Sequence, residues 1–167
     1  MYANDTTKKL YTYKHPNGRE NTYSVISTNP QDIEFLFKLG LTERKSLKIS
    51  YPNILAEFDK DFIRGYFDGD GCFSVTKRND RKNPNSKTYQ FNITGMEGPL
   101  SIIQQHLVDN VGIVKNSLKK RVSTVAVTIH YGGRGVCKKI LDYLYDNATI
   151  YLQRKYNKYK KYCTSAE

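Results

Sequence analysis

The sequence predicts an α+β fold of antiparallel hairpins and helices, and three observations lead there. Short runs alternate apolar and polar residues between turn-forming clusters, apolar stripes at helical spacing separate those runs, and no apolar run exceeds a few residues. A length of 167 residues and 19.3 kDa suits one domain with a working core and excludes only two-domain enzymes with large insertions. Lys and Arg number 27 against 16 Asp and Glu, which leaves a net charge of +11 and a sequence pI near 9.5, so the surface favours polyanions. Mean hydropathy is −0.65, yet 14 Tyr and 13% aromatics argue for a folded chain.

The elements follow in order. Residues 10–27 alternate around Pro16-Asn17-Gly18, a hairpin signature. Asn29-Pro30 opens a helix with Ile33, Leu36 and Phe37 on one stripe and Gly40 at its end. After Arg44 and Lys45, the run Leu47, Ile49, Tyr51 stops at Pro52, and a second helix should begin with Asp59 or Asp61 as N-cap. Strands are expected at Cys72 to Lys77 and Thr88 to Thr94, a helix over Pro99 to Asn110, and a second hairpin from Ile113 to Leu118 and Val122 to Tyr131 with Lys119-Lys120-Arg121 at its tip. Gly132-Gly133 precedes a helix carrying Val136, Ile140, Leu141 and Leu144. The last helix, Thr149 to Tyr162, puts Leu152, Tyr156, Tyr159 and Cys163 on one stripe and Arg154, Lys155, Lys158 and Lys161 elsewhere. The hairpin and helix of residues 10–40 with Arg44-Lys45 echo those of residues 113–147 with Arg154-Lys155.

Cys72, Cys137 and Cys163 are scattered, without Cys-x-x-Cys spacing, and read as reduced thiols of an intracellular protein. The N-terminus lacks the charged-then-apolar pattern of a signal peptide, and no membrane span is expected. His15, His106 and His130 are isolated in sequence and suggest no metal site by themselves.

Phe62 to Gly71 is the most informative stretch. At about 3.6 residues per turn, Phe62, Gly65, Tyr66 and Gly69 share one helix side, Ile63 and Phe67 the neighbouring side, and Arg64 with Asp68 lie away from both. Glycines four apart admit a second helix backbone, and a copy of the same helix is the obvious partner. Asp70 sits in the last turn, so two packed copies would bring two carboxylates together, a donor set suited to Mg²⁺ and to in-line attack on phosphodiesters. Read alone, Asp-Gly-Asp-Gly is equally a simple turn ending a helix.

Ile63-Arg64-Gly65-Tyr66-Phe67-Asp68-Gly69-Asp70-Gly71 resembles, in register, the signature motif of the LAGLIDADG homing endonucleases, and the downstream strand and helix order over residues 59 to 162 resembles that family's core. The resemblance implies an αββαββα half-domain whose curved antiparallel sheet sits on DNA, with motif helices packed at a dyad. It implies that Asp70 is catalytic and binds divalent metal, helped by the Gly69 carbonyl, and that Asp68 serves the helix end. It also implies a polar catalytic residue from the later part of the fold: Lys155 is the best match, Gln153 and Arg154 are rivals, and Lys45 is the counterpart in the echo. A solvated phosphate contact is an equal reading of both lysines. Arg64 replaces the small residue usual in the motif.

Alternation also picks a face for nucleic acid. With Phe73, Val75, Tyr89, Phe91, Ile93, Val125, Val127, Ile129 and Tyr131 inward, Cys72, Ser74, Thr76, Arg78, Thr88, Gln90, Asn92, Thr94, Thr124, Ala126, Thr128 and His130 face out. Uncharged donors and acceptors suit base edges. Arg81, Lys82 and Lys87 on one hairpin tip, and Lys119, Lys120 and Arg121 on the other, suit phosphates. The expected function is therefore Mg²⁺-dependent, site-specific cleavage of double-stranded DNA. One motif per chain calls for a homodimer or a second half-domain. Residues 59–167 would form the endonuclease half-domain, and residues 1–58 the rear of a preceding one. The alternative is a non-cleaving DNA-binding regulator, or a maturase acting on intron RNA.

Overall fold

The computed structural model describes residues 9–14, 22–26, 28–40, 49–78, 83, 86–120 and 124–164, in two compact units, 1–48 and 49–167. In the first unit, β1 (Lys9–Tyr13) pairs antiparallel with β2 (Thr22–Ile26), Lys9 opposite Ile26 and Tyr13 opposite Thr22. The Pro16-Asn17-Gly18 turn and the Arg44-Lys45 pair lie outside the described residues. Helix α1 (Pro30–Lys38) starts as expected: Asn29 Oδ1 accepts from the Gln31 N–H at 3.0 Å, and Pro30 takes a position where a missing N–H costs nothing. It ends on Leu39 and then Gly40, whose φ of +89° is the left-handed turn that glycine adopts without a Cβ clash.

The second unit runs α2 (Asp59–Asp70), β3 (Gly71–Lys77), β4 (Lys87–Gly95), α3 (Glu97–Val111), β5 (Lys119–Lys120), β6 (Val127–Gly132), α4 (Arg134–Tyr145) and α5 (Gln153–Tyr159), closed by a π-helical turn at Lys160–Thr164. The sheet is antiparallel in the order β3-β4-β6-β5. Its inner face carries Phe73 opposite Phe91, Phe91 opposite Tyr131, and Ile93 opposite Ile129, all buried. Helices α2, α3 and α4 pack against the sheet and supply Ile63, Phe67, Leu100, Ile103, Leu107, Ile140, Leu141 and Leu144 to the core. Each such side chain contributes about 1.5–3 kcal/mol by leaving water. Phe67 stacks on Phe91 at 4.7 Å between ring centroids, and a Cβ at Gly71 would overlap the Phe67 ring, so only glycine lets β3 start directly beneath the helix it follows.

The architecture is the αββαββα arrangement that the motif resemblance implied, with four differences from the expected elements. Helix α2 begins at Asp59 behind a 3₁₀ turn, Ala56–Phe58, without a side-chain cap. Asp59 is turned instead to Tyr51, whose hydroxyl donates to it at 2.5 Å. No strand forms over Ile113 to Leu118: Val114 is 81% exposed, Gln104 Nε2 donates to the Asn116 carbonyl at 2.8 Å, and Asn116 Nδ2 donates to the His130 carbonyl at 3.1 Å. Side chains there take backbone acceptors that a strand ladder would use, so only Lys119 and Lys120 pair with β6, opposite Thr128 and Val127. These lysines therefore lie in an edge strand and not at a hairpin tip. Strand β6 starts at Val127, so Thr124 and Val125 fall on a bend, and Val125 is exposed where it was expected inward. The last helix begins at Gln153, not Thr149, and Lys155 is buried among its apolar residues.

Candidate active site and nucleic-acid face

The site is built where α2 ends. Asp70 closes the helix, and Gly71 turns to an extended conformation that starts β3, its N–H still donating to the Phe67 carbonyl. Asp70 is exposed, and its carboxylate has no hydrogen-bond or ion-pair partner among the described residues. Its charge adds to burial in raising the Tyr66 hydroxyl above the ordinary tyrosine value.

Asp68 is committed elsewhere. Its Oδ1 accepts from the Tyr145 hydroxyl at 2.7 Å, and its Oδ2 accepts from the Leu152 N–H at 2.8 Å, just ahead of α5. That N–H is one of the donors a helix start leaves unpaired, and a carboxylate there also meets the positive end of the helix dipole. Asp68 thus ties α2 to α4 and α5, which leaves Asp70 as the carboxylate open to a ligand.

Lys155, 5% exposed, reaches back from α5. Its Nζ donates to the carbonyls of Phe67 at 2.5 Å, Asp68 at 3.0 Å and Gly71 at 2.5 Å, and lies 4.7 Å from the centre of the Phe67 ring. Three carbonyls match the three hydrogens of an ammonium, so Lys155 caps the carboxyl end of α2 around Gly69 and Asp70. Burial and the neighbouring Arg154 lower its pKa, against the opposing pull of Asp68, Cys72 and Asp70. Gln153 is exposed and donates to Asn157 at 2.7 Å; no hydrogen bond joins it to Asp70 or Lys155 among the described residues.

The helix face expected to pair is open. Gly65 and Gly69 are exposed, and a Cβ at either would meet none of the described residues within 4 Å. Phe62 and Tyr66 border them, half-buried and edge-on to each other at 6.0 Å. Arg64 is off this face, as expected, but it is buried: its guanidinium donates to the Ile150 carbonyl at 2.8 Å and pairs with Asp61 at 2.8 Å. It thereby holds the connection between α4 and α5, and its bulk does not obstruct the glycines.

The outer sheet face carries Ser74 opposite Gln90, Thr76 opposite Thr88, Asn92 opposite His130, and Thr94 opposite Thr128. Thr94 and Thr128 share a hydrogen bond of 3.0 Å, and His130 Nδ1 lies 2.6 Å from Asn92 Oδ1. Burial and the charge of Lys119 lower the His130 pKa, so the imidazole is neutral near neutral pH and this face is uncharged. Arg78, Lys87, Lys119 and Lys120 are exposed at its margins, whereas Arg81, Lys82, Arg121 and Lys45 lie outside the described residues. Lys77 stands directly opposite Lys87, a like-charge pair that is unfavourable unless an anion joins it.

Sequence reasoning missed two features. A groove of about 480 Å³ runs beside β3 and α5, lined by Cys72, Arg154, Lys158, Lys161 and Tyr162. The spacing of those cations on one helix was its only sequence signal. Tyr145, which holds Asp68 from α4, had none.

As a metal centre, one chain supplies the Asp70 carboxylate and the Gly69 carbonyl, in the turn where helix carbonyls lack an intrahelical partner. Among the described residues no group of three or more His, Cys, Asp or Glu could hold an ion. The donors present are hard oxygens and fit part of a divalent-metal site. Among the described residues, no helix is long and apolar enough to cross a membrane.

Known structures share this fold. The group I intron-encoded homing endonuclease I-CeuI complexed with DNA matches with 14% identity and a TM-score of 0.50 over 79% of this chain and 62% of that one. The meganuclease I-SmaMI bound to DNA matches with 18% identity and a TM-score of 0.50 over 81% of this chain and 44% of that one. The chain thus spans 62% and 44% of the length of these two structures. No curated protein matches the sequence. The family model described as LAGLIDADG endonuclease matches residues 63–166, from the middle of α2 through α5, the same segment that holds the open Asp70, the polar sheet face and the buried lysine. With motif, strand order and family model in agreement over most of its length, the chain belongs to the LAGLIDADG endonuclease family.

Proposed function

We propose that the protein is a site-specific DNA endonuclease that works inside the cell as a pair of half-domains, with one Asp70 from each contributing to a shared Mg²⁺ centre. The observation that carries this reading is the division of labour at the end of α2. Asp68 is bound by Tyr145 and Leu152, while Asp70 is exposed beside a glycine face on which none of the described residues packs within 4 Å of a Cβ. An exposed carboxylate with no protein partner among the described residues is free to take a ligand.

In this reading the sheet lies in the groove of duplex DNA. Ser74, Thr76, Gln90, Asn92, Thr94, Thr128 and His130 meet base edges, and Arg78, Lys77, Lys87, Lys119 and Lys120 meet phosphates. The Arg154, Lys158 and Lys161 groove holds backbone close to the scissile phosphate, since Gly71 lies both on its wall and next to Asp70. The Lys155 ammonium positions Asp70 through the carbonyls of Phe67, Asp68 and Gly71. When bound, Mg²⁺ supplies an activated water and neutralises charge on the phosphodiester.

The test is cleavage of a plasmid library carrying random inserts, with Mg²⁺, by the purified protein and by Asp70→Asn. Double-strand cuts made by the first and not the second are expected. Bound but uncut DNA would leave a binding protein and overturn the nuclease reading.

A further inference from the structure

The sheet face carries one side-chain pair whose hydrogen-bonding capacity is fixed by its own geometry. Asn92 on β4 stands opposite His130 on β6, and their side chains share a hydrogen bond, Nδ1 to Oδ1, of 2.6 Å. Both are half-buried and on the outer face, with no further side-chain hydrogen bond among the described residues. The His130 carbonyl accepts from Asn116 Nδ2 at 3.1 Å, which holds the β6 backbone at this residue.

A neutral imidazole has one donor and one acceptor nitrogen, and a carboxamide has one donor and one acceptor end. One shared hydrogen consumes a donor of one residue and an acceptor of the other. Whichever residue carries that hydrogen, the pair turns one donor and one acceptor outward. Adenine is the one base whose own major-groove edge offers an acceptor, N7, beside a donor, the N6 amine; guanine offers two acceptors, N7 and O6.

We propose that Asn92 and His130 act as one reading unit that selects adenine over guanine at a single position of the bound duplex. This inference rests on the proposal that the sheet binds duplex DNA. Protonation of His130 reverses the preference: with both ring nitrogens donating, Nδ1 to Asn92, the outward groups are the other ring N–H and the Asn92 amide, two donors that suit guanine. The charged or titratable groups around the ring are Lys119 on β5 and, along the same row of the sheet, Cys72 on β3, opposite Asn92. Burial, and then the charge of Lys119, oppose the charged form, so the adenine-reading state holds at neutral pH.

The test is enrichment of duplexes from a random library by the full chain carrying Asp70→Asn, which retains DNA without cutting it. It is done at about pH 7.5 and about pH 5, on either side of the ordinary imidazole range. One position is expected to show adenine over guanine by about tenfold at the higher pH, and to shift towards guanine at the lower. His130→Arg, with donors only, should give guanine at that position at both pH values. Should His130→Arg fail to fold, Asn92→Ser should lose the preference at that position and no other. An adenine preference unchanged by pH and by either variant, or no position that responds, overturns the inference while leaving DNA binding intact. Failure to enrich any duplex overturns the DNA-binding reading itself, and this one with it.

Discussion

Lys155 and Asp68 are joined across 87 residues of sequence, the Lys155 ammonium donating to the Asp68 carbonyl at 3.0 Å in the last turn of α2. The same ammonium serves Phe67 and Gly71, so one buried cation terminates the helix that presents Asp70. Lys155→Met keeps the length of the side chain and removes the donors, which leaves buried carbonyls unsatisfied. A loss of about 2–3 kcal/mol is expected, measured as a lower urea midpoint at unchanged slope. A stability within experimental error of the parent would show that the lysine is not needed to cap the helix.

The two motif carboxylates should separate cleanly on substitution. Asp68→Asn turns two charge-assisted hydrogen bonds, from the Tyr145 hydroxyl and the Leu152 N–H, into neutral ones, at a cost of about 1–3 kcal/mol. Asp70→Asn removes a charge that has no partner among the described residues, so stability should change by no more than about 0.5 kcal/mol while cleavage is lost. Thermal melts of both variants beside a plasmid-cutting assay provide the comparison. Equal destabilisation by the two would contradict the division of roles.

Gly65 offers a test of pairing in which fold and assembly move in opposite directions. Among the described residues nothing lies within 4 Å of a Cβ placed there, and leucine is a better helix former than glycine by roughly 0.5–1 kcal/mol. Gly65→Leu should therefore raise the melting temperature of the single chain and weaken association through α2. Sedimentation velocity over a concentration series should show dimer in the parent and monomer in the variant. A variant that associates as tightly as the parent would place the pairing face elsewhere.

Stability should fall on the alkaline side. Burial pushes the Cys137 thiol up to about 12 and the Cys163 thiol to about 11, from an ordinary 9.0, and lifts the Tyr51, Tyr145 and Tyr159 hydroxyls above their ordinary 10.0. The unfolded chain releases these protons first. The stability they provide is thus complete below 9.0 and is lost as pH rises through the folded-state values. Denaturant titrations between about pH 8 and pH 11 should show that decline, and Cys137→Ala should remove part of it. A flat profile would mean these groups are hydrated in the folded protein.

Much of this was legible along the chain. Alternation placed Phe73, Phe91, Ile93, Ile129 and Tyr131 inward and Ser74, Gln90, Asn92, Thr128 and His130 outward, because side-chain direction in a strand follows from position alone. The Asn29 cap and the terminal position of Asp70 in α2 were equally local. Alternation misled at Val125, where the run of apolar residues continued but the strand did not. At Ile113 to Leu118 it misled again, because Gln104 and Asn116 side chains captured the carbonyls.

By itself, then, the sequence determined the order of elements, the two faces of the sheet and the helix end that carries Asp70, since each depends on spacing within a few residues. The tertiary structure alone decided that Asp68 is occupied by Tyr145 and Leu152, that Lys155 is a buried helix cap, and that Asn92 and His130 share a hydrogen bond. Each of those contacts joins residues 38 to 88 positions apart. A side chain's partner at that range is set by how helices and strands pack, and no local period encodes it.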